Sequence, residues 1–315
     1  QPLMTIAAEK PPVPLSYAMS EVCYRIFLSA SFQNDNIKLV FVNRHKYNSK
    51  MYEYQRYNCL NQIERNHKMQ LQRLLSFARK AVDEYNMIQE GDHIAVGISG
   101  GKDSLTLLYA LHGLKRFYPQ KFELSAVTVD LGFEDFDLSP VIELCRQLDV
   151  PYRIVPSDIY NILFNIRKES NPCSLCAKMR KGALNEAVKE MGCNKVAYAH
   201  HKDDIVETML LSLIFEGRFH SFSPKTYLDR MDLTVIRPLM FVDEMDVIGF
   251  KNKYNLPVVK SKCPVDGYTK RQYAKELLRQ LNKDHPGAKE RMFHAILDGN
   301  ISGWPQRCLR KRGRE

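Results

Sequence analysis

The residues with the clearest chemical potential form a glycine-rich loop between a predicted strand and a predicted helix. The loop reads Ser99-Gly-Gly-Lys-Asp-Ser104. Its glycines allow a backbone that turns N–H groups toward an anion, and the helix that follows adds the positive end of its dipole. The lysine supplies a mobile positive charge. We therefore expect a phosphate site built from Ser99, Gly100, Gly101, Lys102 and Ser104.

This loop is not a Walker A motif, and its aspartate indicates a metal ion. A Walker A loop has the pattern G-x-x-x-x-G-K, and Val96 stands where its first glycine belongs. Asp103 would repel a phosphate group unless a Mg²⁺ ion lies between them. Lys102 and Asp103 are thus candidate catalytic residues as well as phosphate-site residues.

Two cysteines at the start of a long predicted helix are the second candidate for chemistry. Cys173 and Cys176 have C-x-x-C spacing, which directs both thiols to one side of a helix. We expect the helix dipole to lower their pKa values toward the thiolate, and such a pair binds metal or exchanges disulfides. Cys263 follows an apolar segment, residues 256–259, that is predicted to be a strand, and it is a candidate third ligand.

Three thiolates suit a metal site that keeps one position open, as a catalytic site requires. A zinc ion meets this description, and so does a [4Fe-4S] cluster with one iron left to bind an outside ligand. The residues alone leave both possibilities open. Five further cysteines lie in ordinary surroundings and are interpreted as plain thiols: Cys23, Cys59, Cys145, Cys193 and Cys308.

Histidines and aspartates follow the fourth predicted strand, in the run His200-His-Lys-Asp-Asp204. Asp203 is expected to cap the next helix. His200 and Asp204 are candidates for direct contact with a nucleotide. A His-x-x-Asp metal site would need a third ligand, and the neighbouring sequence offers none.

The apolar pattern predicts the elements that must position these residues. Helices are expected at residues 71–85, 104–117, 139–148, 174–191 and 203–215, and strands at 93–98, 124–129, 152–155 and 195–199. Strands that alternate with helices predict an α/β fold, a doubly wound parallel sheet with helices on both faces. Ligands bind such sheets outside the carboxyl ends of the strands, where the glycine loop and the His-Asp run lie.

Composition limits the classes of function. The 315 residues are 44% hydrophobic and 26% charged, which is typical of a globular protein, and no apolar run is long enough to span a membrane. The net charge of +10 favours an anionic partner. We expect three regions: an N-terminal extension of unknown structure over 1–68, a catalytic domain over 69–301 and a basic C-terminal tail over 302–315.

Basic and aromatic residues are concentrated around the cysteines. Such a surface holds an RNA backbone and stacks an extruded base. The basic residues are Lys178, Arg180, Lys181, Lys225, Lys260, Lys262, Lys270 and Arg271. The aromatic residues are Phe219, Phe222 and Tyr227, interleaved with Arg218 and His220.

The motif Ser-Gly-Gly-Lys-Asp-Ser104 resembles that of the PP-loop ATP pyrophosphatases, which cleave ATP between its α- and β-phosphates and adenylate a carbonyl oxygen. Three further segments are similar to the tRNA 2-thiocytidine synthetase group: Asn171-Pro-Cys-Ser-Leu-Cys176, Ala199-His-His-Lys-Asp-Asp204 and Ile236-Arg-Pro-Leu239. The resemblance implies the adenine nucleotide alpha hydrolase-like fold. It also implies ATP as co-substrate with Mg²⁺, and a [4Fe-4S] cluster on Cys173, Cys176 and Cys263. ATP contacts would come from the glycine loop together with Asp130, His200 and Asp204.

The activity that this resemblance implies is an ATP-dependent tRNA sulfurtransferase. Such an enzyme adenylates the 2-oxo group of cytidine 32 in the anticodon loop and replaces it with sulfur, with Lys102, Asp103, Cys173 and Cys176 as catalytic residues. The implied partners are tRNA and a sulfur donor, either a cysteine desulfurase or sulfide. A cytoplasmic location without a membrane is expected, and a homodimer is one option for the assembly.

Three alternatives share some of these residues. A lysidine-synthetase-like amidation uses the loop but has no use for C-x-x-C. Thiouridine-forming enzymes share the three cysteines but usually add flanking zinc-binding C-x-x-C pairs, which this sequence lacks. A non-enzymatic iron–sulfur RNA-binding protein that has kept ATP binding would show no turnover of ATP to AMP.

Overall fold

The computed structural model describes residues 31–33, 36–38, 70–133, 136–168, 172–259, 263 and 270–299. The chain divides into two compact units, Gln1–Asn61 and Gln62–Glu315. In the first unit, β1 (Ser31–Gln33) pairs antiparallel with β2 (Asn36–Lys38). The rest of the expected extension and the basic tail over 302–315 lie outside the described residues, so the three predicted regions stay a prediction.

The second unit is built on a six-stranded sheet. Its strands are β3 (Asp92–Gly97), β4 (Phe122–Asp130), β5 (Tyr152–Pro156), β6 (Lys195–Ala197), β7 (Lys225–Leu228) and β8 (Leu233–Ile236). The spatial order is β5-β4-β3-β6-β8-β7, and every pairing is parallel except that of β7 with β8. The chain leaves β3 toward β4 on one side and reaches β6 on the other. A crevice at the carboxyl ends of β3 and β6 follows from this reversal.

Eight helices and one π-helical segment accompany the sheet in the described residues of this unit. The helices are α1 (Leu71–Glu84), α2 (Lys102–Lys115), α3 (Ser139–Gln147), α4 (Pro172–Glu190), α5 (Lys202–Glu216), α6 (Glu244–Lys253), α7 (Lys270–Asp284) and α8 (Ala288–Asp298). The π-helical segment is Asn161–Ile166. Among the described residues, no helix combines the length and the apolar character needed to cross a bilayer.

Two hydrophobic cores cover the two faces of the sheet. Successive strand side chains point to opposite faces, so Ile94 and Val96 join one core while Ala95 joins the other. The larger core includes the leucines of α2, and the smaller one includes Leu184 and Val188 of α4. Ile94, Ala95 and Val96 are fully buried. The predicted α/β class with helices on both faces is therefore confirmed.

Two of the predicted strands differ from the structure. The expected strand at 256–259 is wrong, because this segment pairs with no strand and instead contacts the glycine loop through Val259. The strand expected at 195–199 ends at Ala197, opposite Val96 of β3, although the Tyr198 amide still donates to the Ile236 carbonyl at 3.0 Å. The sequence pattern also gave no prediction for β7, β8, the π-helical segment or α6 to α8.

Candidate functional site

The glycine loop closes the gap between β3 and α2. Gly100 takes a φ of +80°, which side chains other than glycine rarely adopt, and Gly101 is the N-cap of α2. Ser104 Oγ donates to the Gly101 carbonyl at 2.9 Å and accepts from the Ser99 amide at 3.2 Å. Amides in the first turn of a helix have no partner within the helix, so this tight turn presents donors and a positive dipole end beyond the sheet.

Lys102 is held by carboxylates. Its Nζ lies 3.0 Å from Asp103 Oδ1 and 3.3 Å from Glu244 Oε1, and Lys275 binds the same Glu244 oxygen. Burial alone would lower the pKa of Lys102, but these two carboxylates raise it above its ordinary value. The lysine is thus fully charged, and an incoming phosphate must compete with Glu244 for it.

One cavity of about 690 Å³ lies at the carboxyl ends of the strands and brings most of the predicted site together. Eight predicted residues line it: Ser99, Asp103, Ser104, Cys173, Cys176, His200, Asp204 and Cys263. Gly100, Gly101 and Lys102 belong to the same loop without being among the lining residues. Asp130 ends β4 between two residues that line the cavity, and its own Oδ1 accepts from the Gly132 amide at 3.0 Å.

The three cysteines enter the cavity from two segments. Cys173 and Cys176 occupy the first turns of α4, and Cys263 comes from the chain between α6 and α7. Contrary to the expected lowering, the pKa of Cys176 is raised, because burial and the neighbouring thiols outweigh the Arg180 guanidinium. Within the described residues, no three His, Cys, Asp or Glu side chains converge closely enough to hold a single metal ion. The three thiols share the cavity, and the Cys176 thiol interacts electrostatically with both of the others.

The cap of α5 differs from the prediction. His201, not Asp203, is the N-cap: its Nδ1 accepts from the Asp204 amide at 3.4 Å, and Asp204 Oδ2 accepts from the His201 amide at 3.0 Å. Because this reciprocal pair satisfies the end of the helix, the Asp203 carboxylate is available to other elements. It accepts from the Glu244 amide and from Lys289 Nζ, both at 2.8 Å, and so ties α5 to α6 and α8.

His200 lies in a stack of aromatic and cationic groups. Its ring packs on Phe222 with a centroid separation of 4.1 Å, and Arg237 Nε donates to His200 Nδ1 at 3.1 Å. A second Arg237 nitrogen donates to the Ser223 carbonyl at 2.6 Å. Burial, reinforced by Arg237, lowers the pKa of His200 to about 3. The imidazole is neutral with its proton on Nε2, which makes it a hydrogen-bond donor.

Asp204 and Glu207 share Arg271 but have opposite protonation tendencies. Arg271 Nη1 lies 3.1 Å from Asp204 Oδ1 and 3.8 Å from Glu207 Oε2. Burial would raise the pKa of Asp204, yet the neighbouring His201 and His200, the hydrogen bond from the His201 amide and the Arg271 guanidinium bring it below its ordinary value. Burial and the Asp204 carboxylate raise the pKa of Glu207 to about 7. Asp204 is therefore the ionised member at neutral pH.

The predicted basic and aromatic residues separate into two groups. Arg180, Lys181, Arg271 and Phe222 line the cavity. Lys225 does not belong with them, because its Nζ donates to the Asn86 carbonyl at 2.8 Å, in the chain between α1 and β3.

Other members of the predicted surface do not line the cavity or lie outside the described residues. Tyr227 also lies on β7, and its hydroxyl donates to Asp232 beside the β7–β8 turn at 2.8 Å. Lys178 and His220 are exposed, and Arg218 pairs with Glu216 at 2.7 Å. Lys260 and Lys262 lie outside the described residues.

An aromatic ladder in the cavity wall was missed by the sequence analysis. Phe133 packs on Tyr160 at 4.9 Å between centroids, and Tyr160 packs on Phe164 at 5.2 Å. Phe133 follows the end of β4, where a strand-end rule could have found it, and Tyr160 and Phe164 have i, i+4 spacing. Arg237 carried no functional prediction, although it directly follows β8.

The chain matches known proteins over the part that builds this site. Residues 70–281 match the PP-loop domain family. A tRNA-cytidine(32) 2-sulfurtransferase from Geobacter sulfurreducens is 40% identical over 225 residues, which cover 70% of this chain and 87% of the relative. The enzyme of the same name from Pelobacter propionicus is 40% identical and covers 71% and 84%.

A solved structure shares the fold. The U34-tRNA thiolase NcsA from Methanococcus maripaludis, described with its [4Fe-4S] cluster, superposes with a TM-score of 0.58. The match covers 71% of this chain and 78% of that one at 24% identity.

Proposed function

Since the chain belongs to the PP-loop family, and within it to the tRNA-cytidine(32) 2-sulfurtransferases, we propose that it replaces the 2-oxo group of cytidine 32 of a tRNA with sulfur at the expense of ATP. One observation carries the proposal. The phosphate loop, through Ser99, Asp103 and Ser104, and the three thiols of Cys173, Cys176 and Cys263 line the same cavity. Activation by ATP and sulfur transfer can therefore act on one bound base.

The oxygen at C2 of the base is a poor leaving group, and ATP converts it into a good one. The O2 atom of the base attacks the α-phosphorus of ATP and pyrophosphate departs, and the later attack of sulfur on C2 expels AMP with that oxygen. We assign the loop amides, the N-terminus of α2 and the Lys102 ammonium to stabilising the leaving pyrophosphate. Asp103 is the proposed Mg²⁺ ligand, because a carboxylate beside phosphates requires a cation between them.

The donor set of the cavity fits an iron–sulfur cluster. Cys173, Cys176 and Cys263 are the cysteines among the described lining residues, and three thiols bind such a cluster while leaving one iron open. The Cys176 thiol interacts electrostatically with both Cys173 and Cys263, which supports one site shared by all three. When bound, the cluster would supply an iron that carries the sulfur to be transferred. Arg180, whose charge lies beside the Cys176 thiol, partly offsets the burial that raises the pKa of this thiol and so assists the thiolate that ligation requires.

The basic wall of the cavity fits an RNA substrate. Arg180, Lys181 and Arg271 supply positive charge for the phosphate backbone, and the neutral His200 donates from Nε2 toward an acceptor on the base. A sulfur donor, whether a cysteine desulfurase or sulfide, completes the reaction. The cytoplasm is the compartment we propose, because the site needs reduced thiols. A homodimer stays a prediction.

The test is thiolation by the full chain under anaerobic conditions. The protein is reconstituted with iron and sulfide, supplied with Mg-ATP and a tRNA transcript that contains C32, and the nucleosides are analysed by mass spectrometry. We expect 2-thiocytidine, with AMP and pyrophosphate in equal amounts. Cys263→Ala should abolish thiolation and lower the bound iron, while Cys193→Ala, a buried cysteine of the smaller core, should retain both.

Other products would point to the alternatives. Thiouridine in place of thiocytidine would indicate specificity for uridine, and an amidated cytidine would indicate the lysidine-synthetase-like reaction. RNA binding without AMP would support the non-enzymatic protein. Full thiolation by Cys263→Ala would overturn the assignment of that thiol.

A further inference from the structure

A patch of large apolar side chains is exposed next to the cavity. Its aromatic members are Phe215 on α5, Phe219 on the loop after α5 and Tyr273 on α7, each between 45% and 52% exposed. We call these three residues the aromatic shelf. The Phe215 and Tyr273 rings meet edge to face with centroids 6.2 Å apart, so α5 and α7 present one continuous surface. Exposed apolar patches of this kind mark interaction sites.

Positive charge borders the shelf. Lys270 Nζ lies 4.6 Å from the centroid of the Phe215 ring, and Arg218 precedes Phe219 in the chain. Glu216, which follows Phe215 in the chain, pairs with Arg218, and Glu276 of α7 accepts from the Gln272 side chain. Aromatic rings beside lysine and arginine are suited to nucleobases and phosphates, whereas an apolar protein partner would have to bury the Lys270 charge.

The shelf is continuous with the cavity through two short connections. Arg271 follows Lys270 and lines the cavity, where its guanidinium lies 5.9 Å from the Phe222 ring. Phe219 and Phe222 lie on the same loop between α5 and β7, so one ring is exposed on the shelf while the other lines the cavity. A strand of RNA that enters the cavity at Arg271 would lie across the shelf.

We propose that the aromatic shelf stacks the loop bases that flank the target nucleotide of the tRNA. This inference rests on the proposed function. A base that leaves an RNA loop to enter a cavity removes stacking from its neighbours, and the rings of Phe215, Phe219 and Tyr273 replace it. The shelf therefore stabilises the open form of the loop that the reaction needs.

The experiment measures binding of two anticodon stem-loop RNAs to the full chain by fluorescence anisotropy. One RNA is intact, and the other has abasic sites at the two positions that flank the target cytidine. We expect the wild-type protein to bind the intact RNA about ten-fold more tightly, the scale of base–aromatic stacking. The double variant Phe215→Leu, Tyr273→Leu keeps apolar side chains but loses the rings, so it should bind both RNAs alike.

The matched control is Phe117→Leu, an aromatic residue with 50% exposure just after α2 and outside the shelf, which should keep the ten-fold preference. An unchanged preference in the double variant would overturn the proposal. A wild-type protein that is a dimer in light scattering, with the double variant a monomer, would also overturn it, since the shelf would then cover a second copy. Wild-type protein that shows the preference yet forms no thiocytidine would contradict the proposed function and support the shelf.

Discussion

The backbone amide of Val259 donates a hydrogen bond of 3.0 Å to the carbonyl oxygen of Gly100. A Cβ atom on Gly100 would lie 3.1 Å from Val259 Cβ, so the two residues are in close contact as well as hydrogen-bonded. From Val259 the chain leads to Cys263, which lines the cavity. The phosphate loop is thus bonded directly to the segment that precedes the third thiol.

Gly100→Ala tests this junction. The left-handed φ of +80° costs an alanine about 1–2 kcal/mol, and the new methyl group also pushes on Val259. We expect pyrophosphate release to fall about ten-fold or more, because the loop must shift to relieve both strains. The control is Gly182→Ala in α4, where a Cβ meets no atom within 4 Å. It should fold at least as stably as the wild type, and full activity in Gly100→Ala would contradict the role of the junction.

Glu244→Gln tests whether Lys102 is restrained in the free protein. Glu244 Oε1 lies 3.3 Å from Lys102 Nζ, so phosphate must displace this carboxylate. Removing its charge should strengthen Mg-ATP binding about three- to five-fold, the size of a partly exposed ion pair. Isothermal titration calorimetry measures the change. Glu143→Gln, which removes an exposed partner of Arg146 on α3, should leave the affinity unchanged. Weaker binding by Glu244→Gln would assign that carboxylate to holding the nucleotide complex instead.

Local patterns made much of this site predictable. The phosphate loop and the His-Asp run each follow a strand with a clear apolar pattern, and parallel strands carry their carboxyl ends to a common edge. The C-x-x-C pair likewise begins a helix that the sequence pattern indicates. For these residues, a strand or helix assignment was enough to locate the side chain.

The remaining contacts depend on packing between distant segments. The apolar pattern at 256–259 predicts a strand, but this segment is not among the strands of the sheet. It is hydrogen-bonded to Gly100 instead. Asp203 has the residue type of a helix cap, yet His201 takes that role and Asp203 binds Lys289 from α8. Arg237 reaches His200 only because β6 and β8 are neighbours in the sheet. None of these pairings produces a periodic pattern in the sequence around either residue.

Arg237→Met tests the protonation state of His200. Burial and the Arg237 charge lower the pKa of His200 to about 3, so the wild-type ring should not titrate between pH 5 and 8. Removing the guanidinium removes both a positive neighbour and the donor to Nδ1, and the pKa should rise toward its ordinary value of 6.5. Histidine ¹⁵N chemical shifts report the titration and the tautomer directly.

The control for that measurement is Arg218→Met, an exposed arginine paired with Glu216, which should leave the His200 signals unchanged. A wild-type His200 that titrates near pH 6, or a variant with Nδ1 still accepting a hydrogen bond, would refute the assigned pairing with Arg237.

Glu207→Gln tests a destabilising charge beneath the site. Burial and the Asp204 carboxylate raise the pKa of Glu207 from 4.5 to about 7, so the folded protein holds this proton where the unfolded chain has lost it. The contribution to stability is therefore present below pH 4.5 and is lost as the pH rises through 7, by about 2–3 kcal/mol. Glutamine cannot ionise, and it should make the protein more stable than the wild type at pH 8 but not at pH 4.5. Urea denaturation at both pH values measures the difference.

The exposed Glu186→Gln on α4 controls for the loss of a carboxylate and should follow the wild type. Equal pH dependence in Glu207→Gln and the wild type would mean that Arg271, 3.8 Å away, keeps Glu207 ionised in the folded protein.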